Sequence, residues 1–83
     1  KAFDAAAKTD LRNAMTAQEA YFSDNQSYTA TLADLDIVPS TGVTVAVTSG
    51  DASGYEMTAT HASSTNTYCI DSTVGEIVVG ATC

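Results

Sequence analysis

Two cysteines, Cys69 and Cys83, and a single histidine, His61, are the residues of this chain whose types first suggest chemistry. A structural zinc site takes four ligands, usually with cysteines paired at CxxC spacing, and His61 does not complete one here. The competing reading is a Cys69–Cys83 disulfide. Closing a loop of about 15 residues stabilises a small fold by roughly 3 kcal/mol in the chain-entropy treatment. An 83-residue chain without Trp, whose apolar content is mostly Ala and Val, needs such a staple. The expectation is therefore a bridge, and with it an oxidising compartment.

The other reactive side chains do not assemble into a motif. Asp34 and Asp36 are close in sequence, and Asp51, Asp71 and Glu76 fall in turn-like stretches. None has the EF-hand spacing that gathers roughly six to eight oxygens around calcium. Ser and Thr are plentiful, but no acid–histidine–nucleophile pattern accompanies them. GxxxxGK, GxGxxG and CxxCH are all missing from the sequence. The reading is a non-enzyme with no metal and no cofactor, in which His61 is a solvated or hydrogen-bonded residue beside a turn.

Size and charge narrow the classes further. The length fits one domain over residues 1–83 with a small core. The net charge is −7, and all three basic residues, Lys1, Lys8 and Arg12, lie in the first dozen positions. Such a surface repels phosphate backbones, so direct nucleic-acid binding is not expected. No run of about 18 apolar residues is present to span a membrane. An exported, oxidised domain without a signal peptide implies that an upstream segment once accompanied it.

The elements that must position these residues are of two periodicities. Residues 1–23 read as a helix with a stripe of Phe3, Ala7, Leu11, Ala14, Met15 and Phe22, interrupted by Gln18. Lys1 is a poor cap, so the helix is expected to extend upstream of it. Asn25 is the expected left-handed residue at the helix end. Residues 24–42 form a connecting loop, with a short helical turn within Ala30–Leu35 and an extended approach to Pro39. Over 43–83 the period becomes two: VTVAVTS, YEMTATH, TYCID and EIVVG read as strands separated by GDASG, HASSTN and STVG. Hairpin-length connections make this a four-stranded antiparallel meander, and the whole an α+β fold with the helix across one sheet face. Tyr21 and Phe22 then plug the junction of helix end, loop and sheet.

The segment DLRNAMTAQEAYFSDNQSYTATLADL, Asp10 to Leu35, closely resembles the helix-to-loop junction of type IV pilins and the related pseudopilins. A helical run with small residues reaches an aromatic pair, then a polar stretch, an aromatic (Tyr28) and a Leu-containing segment. KAFDAAAKTDLRNA resembles the second half of the long pilin helix, and the meander with a disulfide toward the carboxyl end matches the family plan. The resemblance implies the ectodomain of a filament subunit whose apolar helical stem, cleavage site and leader are not in this sequence. The stem would hold the subunit in the inner membrane, then pack into a homo-oligomeric filament built by a dedicated assembly machine. Localisation would pass from inner membrane and periplasm to an extracellular pilus serving motility, adhesion or DNA uptake.

In that arrangement Phe3, Leu11, Met15, Tyr21 and Phe22 form the helix–sheet core. Lys1, Asp4, Lys8, Arg12, Asn13 and Glu19 face neighbouring subunits, with Asp4 and Lys8 an acid-before-base pair at i, i+4. The basic patch would meet acidic loops of adjacent subunits, since the other surfaces are acidic. The turns at Ser49–Gly54 and Ala62–Asn66 would face outward. The alternative is a pseudopilin of a type II secretion system, with the same fold and different partners. A ligand-binding module is less well matched by these modest turns, and Phe3, Tyr21, Phe22 and Tyr28 are too few for electron conduction.

Overall fold

The structure, a computed structural model, describes residues 2–80, 82 and 83. Lys1, an expected interface residue, lies outside the described residues. Helix α1 (Ala2–Asn25) lies across a four-stranded antiparallel sheet of β1 (Val43–Asp51), β2 (Gly54–His61), β3 (Thr67–Asp71) and β4 (Val78–Val79). The spatial order is β1-β2-β3-β4, so each strand pairs with its sequence neighbour. Cys69 and Cys83 are joined by a disulfide. The fold is thus α+β, one helix on an antiparallel meander.

Helix and sheet meet through small residues. Ala7, Leu11, Ala14 and Gln18 are fully buried along one stripe of α1, and Asp10 is buried beside it. The two alanines let the helix backbone approach the sheet. Opposite them, Val43 and Val45 of β1, Tyr55, Met57 and Ala59 of β2, and Tyr68 and Ile70 of β3 point inward. Their register is continuous: Val45 pairs with Ala59, which pairs with Tyr68, and Met57 pairs with Ile70. Burying Leu11, Met57 or Ile70 contributes about 1.5–3 kcal/mol each, an upper bound because real unfolded chains are partly compact.

Phe3 and Phe22, expected in the helix–sheet core, are not part of it. Phe3 is 49% exposed and stacks its ring on His61, with centroids 4.5 Å apart. It sits at the first turn of α1, before the buried stripe begins, where its neighbours are His61 at the end of β2 and the β2–β3 turn. Phe22 is half-buried and packs on Tyr28 at 4.7 Å, and Tyr28 meets Tyr55 edge-on at 4.9 Å. Tyr21 and Met15 are half-buried against the core. The rings thus close the helix–loop–sheet junction, with Tyr28 as the wedge between Phe22 and the sheet.

Several boundaries differ from those read in the sequence. The helix continues through Asn25, and the left-handed residue is Gln26 (φ 61°), not Asn25. The Gln26 N–H still donates to the Phe22 carbonyl, and Asn25 Nδ2 donates to the Tyr21 carbonyl, so side chain and backbone together satisfy the last turn. The 3-10 turn is Leu32–Leu35, one residue past Thr31, and it ends on Asp36 at φ 52°. Strands β1 and β2 run into the expected GDASG turn, leaving Ala52 and Ser53 as the loop. The register shifts between Val47 and Ser49. Strand β4 shrinks to Val78–Val79. At Gly50 a Cβ would collide with the Thr29 carbonyl and the Ala30 nitrogen, so only glycine lets the connecting loop lie directly on β1.

Candidate functional site

The cationic side chains of the helix lie on one flank of its buried stripe. Lys8, Arg12 and Met15 of α1 face Gly75, Glu76 and Ile77 of the β3–β4 connection across an open groove of about 390 Å³. Met15 and Ile77 give it an apolar floor. The Lys8 ammonium sits 5.1 Å from the centroid of the Tyr68 ring, a cation–π contact that holds the side chain against the sheet. The Arg12 guanidinium is exposed and, among the described residues, has no hydrogen bond or ion pair.

Asp4 does not form the expected outward-facing pair with Lys8. Its carboxylate accepts hydrogen bonds from Ser64 Oγ and from Asn66 Nδ2, tying the first turn of α1 to the β2–β3 turn. The reason is geometric: Lys8 has turned over Tyr68, and the polar turn that follows His61 arrives next to Asp4. The Ser64 hydrogen bond, with that from Asn66, holds the Asp4 carboxyl below its ordinary value near 3.8. At the opposite end of the sheet Asp71 is lowered in the same way by the Thr73 hydroxyl and backbone N–H. Because both folded values are depressed, the associated stability is present above about pH 4 and is lost as pH falls through the folded values. An Asp4→Asn, Asp71→Asn double variant is expected to show a shallower loss of urea midpoint below about pH 4 than the parent. Superimposable acid titrations would contradict it.

On the other flank of α1, Asp10 and Asn13 border a smaller hollow lined by Ile37, Val38 and Pro39. Asp10 is buried and accepts from the Ser40 backbone N–H at 2.7 Å and from Ser40 Oγ at 3.1 Å. This clamps the end of the connecting loop to the helix. Just before the clamp the loop projects: Asp36 is exposed, and Val38 is 93% exposed. Asn13 and Glu19 are exposed as expected for outward-facing residues, and Glu19 accepts a 3.4 Å hydrogen bond from the Tyr28 hydroxyl. Burial, with the Glu19 charge second, raises the Tyr28 hydroxyl above its usual range.

Three of the five carboxylates weighed for calcium, Asp34, Asp51 and Asp71, are used within the loops and turns. Asp51 accepts from the N–H groups of Ser53 and Gly54, and Asp34 accepts from Thr29 Oγ1. Asp71 accepts from Thr73 as described above. His61 Nδ1 accepts from the Ser63 N–H, closing the β2–β3 turn. Glu56, Cys69 and Cys83 converge on the outer sheet face, but the two sulfurs are bonded to each other. Glu56 Oε2 lies 3.6 Å from the Cys69 sulfur and accepts weakly from the Cys83 N–H at 3.5 Å. A carboxylate there repels an incoming thiolate and disfavours the thiolate that must leave. Glu56→Gln is expected to speed reduction of the bridge by a small-molecule thiol about threefold at neutral pH; an unchanged or slower rate would refute the shielding.

Asp10, Gln18 and Val38 were not singled out as site or support residues from the sequence. Gln18 carried a signal all the same, because a polar residue on a buried stripe needs a buried partner. Nothing marks Asp10 or Val38 except proximity to other elements, which a single sequence does not give. No protein-family model matches the chain, and no curated protein matches it.

Proposed function

We propose that the chain is the water-facing head of a filament subunit of the type IV pilin class. The observation that carries this reading is the seating of a 24-residue helix on a short meander by one stripe only. The faces bearing Ala5, Thr9, Arg12, Thr16 and Ala20 remain exposed along its length. A helix this long exceeds what the small sheet can cover. In a filament the surplus is the surface that packs against neighbouring subunits, with the sheet and its turns forming the outer shell. In the pilin plan an apolar stem continuous with α1 anchors the subunit in the inner membrane and then forms the filament core, where helix–helix packing replaces lipid contact at little hydrophobic cost. The disulfide suits the oxidising compartments such a head passes through.

The test is deletion of the gene followed by electron microscopy of whole cells and assay of secreted proteins. Loss of surface filaments, restored by the wild-type gene, is the expected result. Intact filaments with blocked secretion would assign the chain to a secretion pseudopilin instead. Cells unchanged in both respects would end the filament reading.

A further inference from the structure

The two flanks of α1 are complementary to each other. One carries the groove of Lys8, Arg12, Met15 and Ile77, cationic at its rim and apolar on its floor, with Glu76 as its single acidic lip. The opposite flank carries the projecting segment Asp36-Ile37-Val38, acidic at its base and apolar at its tip. Three features of that segment suit it to be a plug. Asp36 is fixed in a left-handed conformation that ends the 3-10 turn. Pro39 restricts the backbone of Val38. The Asp10–Ser40 hydrogen bonds anchor the segment immediately behind. A large apolar side chain held 93% exposed by a braced loop loses little conformational freedom when it is covered.

We infer that the groove of one copy receives the Asp36–Val38 loop of a second copy, with Val38 on the Met15–Ile77 floor and the Asp36 carboxylate facing Lys8 and Arg12. Charge selects this occupant. The chain carries ten acidic and three basic residues, so a second copy offers a cationic groove many more acidic groups than basic ones. Among the described acidic turn residues, Asp34, Asp51 and Asp71 already accept hydrogen bonds within their own turns. Asp36 and Glu76 do not, but Glu76 stands on the lip of the groove itself, which leaves Asp36, two residues from the 93% exposed Val38, as the acidic turn residue a second copy can offer. Because plug and groove are different surfaces on opposite flanks, the contact is heterologous and repeats from copy to copy, as a ring or an open helix. The inference deepens the filament reading and rests on it for the presence of neighbours, but it assigns the contact to the head itself.

The experiment is sedimentation velocity of the oxidised 83-residue chain from micromolar to millimolar concentration. It is run at about 0.15 M and about 1 M salt, between which the Debye length falls from roughly 8 to 3 Å; still lower salt is avoided because it leaves the net charge of −7 on each copy unscreened. Concentration-dependent association is expected at the lower salt and its loss at the higher. Lys8→Glu with Arg12→Glu, or Asp36→Asn, should weaken association at least about tenfold, one decade in the constant. Glu76→Gln should strengthen it. All four positions are on the surface, and circular dichroism checks that the fold is kept. A benzophenone carried on Val38→Cys should cross-link to Arg12–Met15 or Gly75–Ile77 of a second copy. A chain that stays monomeric at both salts, or cross-links that map elsewhere, would overturn the inference. The filament reading, judged on cells, would be untouched by that result.

Discussion

Gln18→Ala is expected to lower the unfolding free energy by about 3 kcal/mol, a large part of what a chain of this size has. Gln18 is fully buried, and its amide reads the backbone of Thr29 at both ends. Nε2 donates to the Thr29 carbonyl at 2.9 Å, and Oε1 accepts from the Thr29 N–H at 3.0 Å. Nε2 also lies 3.8 Å from the Met57 sulfur, on the sheet side. Truncation removes the partners of two buried backbone groups, each costing about 1–3 kcal/mol when unpaired, and leaves a hollow as well. Thr29 is in turn the residue whose backbone lies on Gly50. One amide therefore joins helix, loop and β1. Gln18→Glu should be no better than Ala at neutral pH, because a carboxylate cannot donate to the Thr29 carbonyl. Urea denaturation at constant m-value measures both. A loss below about 1 kcal/mol for Gln18→Ala would mean that water or a rearranged loop satisfies Thr29.

Removing the Cys69–Cys83 bridge is expected to cost a similar amount, about 3 kcal/mol, seen as a fall in Tm of roughly 12–24 °C. The two cysteines are 14 residues apart, and the loop they close contains the whole of β4. That strand is two residues long and pairs only Val79 with Tyr68 and Val78 with Cys69. Without the bridge, little else retains it. The loss should therefore begin locally: in a Cys69→Ala, Cys83→Ala double variant, the amides of Val78, Val79 and Gly80 should exchange with deuterium far faster than those of β2. The Gly80 N–H, which donates to the Thr67 carbonyl at 2.7 Å, is the most direct reporter. Uniform acceleration across the sheet would show instead that the bridge acts only on the unfolded chain.

What the sequence discloses of this molecule follows from which forces are periodic. The Val43-Val45-Val47 and Tyr55-Met57-Ala59 alternations lie inward as read, because a sheet with one covered face imposes a period of two. The helix stripe is legible for the same reason at Ala7, Leu11 and Ala14. It fails at its ends: a short sheet covers only the middle of a long helix, and Phe3 belongs to the periodic pattern without reaching the cover. The Asp4–Lys8 pair fails because spacing along a helix says nothing of a turn some sixty residues later that competes for the same carboxylate. The groove flank was half legible, as a basic patch; the Val38 plug on the opposite flank was not, since an apolar residue before proline reads simply as an approach to a strand.

The register shift between Val47 and Ser49 sits in β1, which with β4 forms the two open edges of the sheet. Five regular pairs run from Val43 to Val47, and then Thr48 stands without a partner opposite. Such a break twists the strand and spoils the row of backbone groups that a foreign strand would have to match. The other edge is too short to template anything. Crowded copies of this chain therefore have poor access to cross-β fibrillation, the usual hazard of concentrating a sheet protein rich in Val and Thr. Any order they adopt must come from side-chain contacts, whose charged part salt can screen, rather than from backbone zippers.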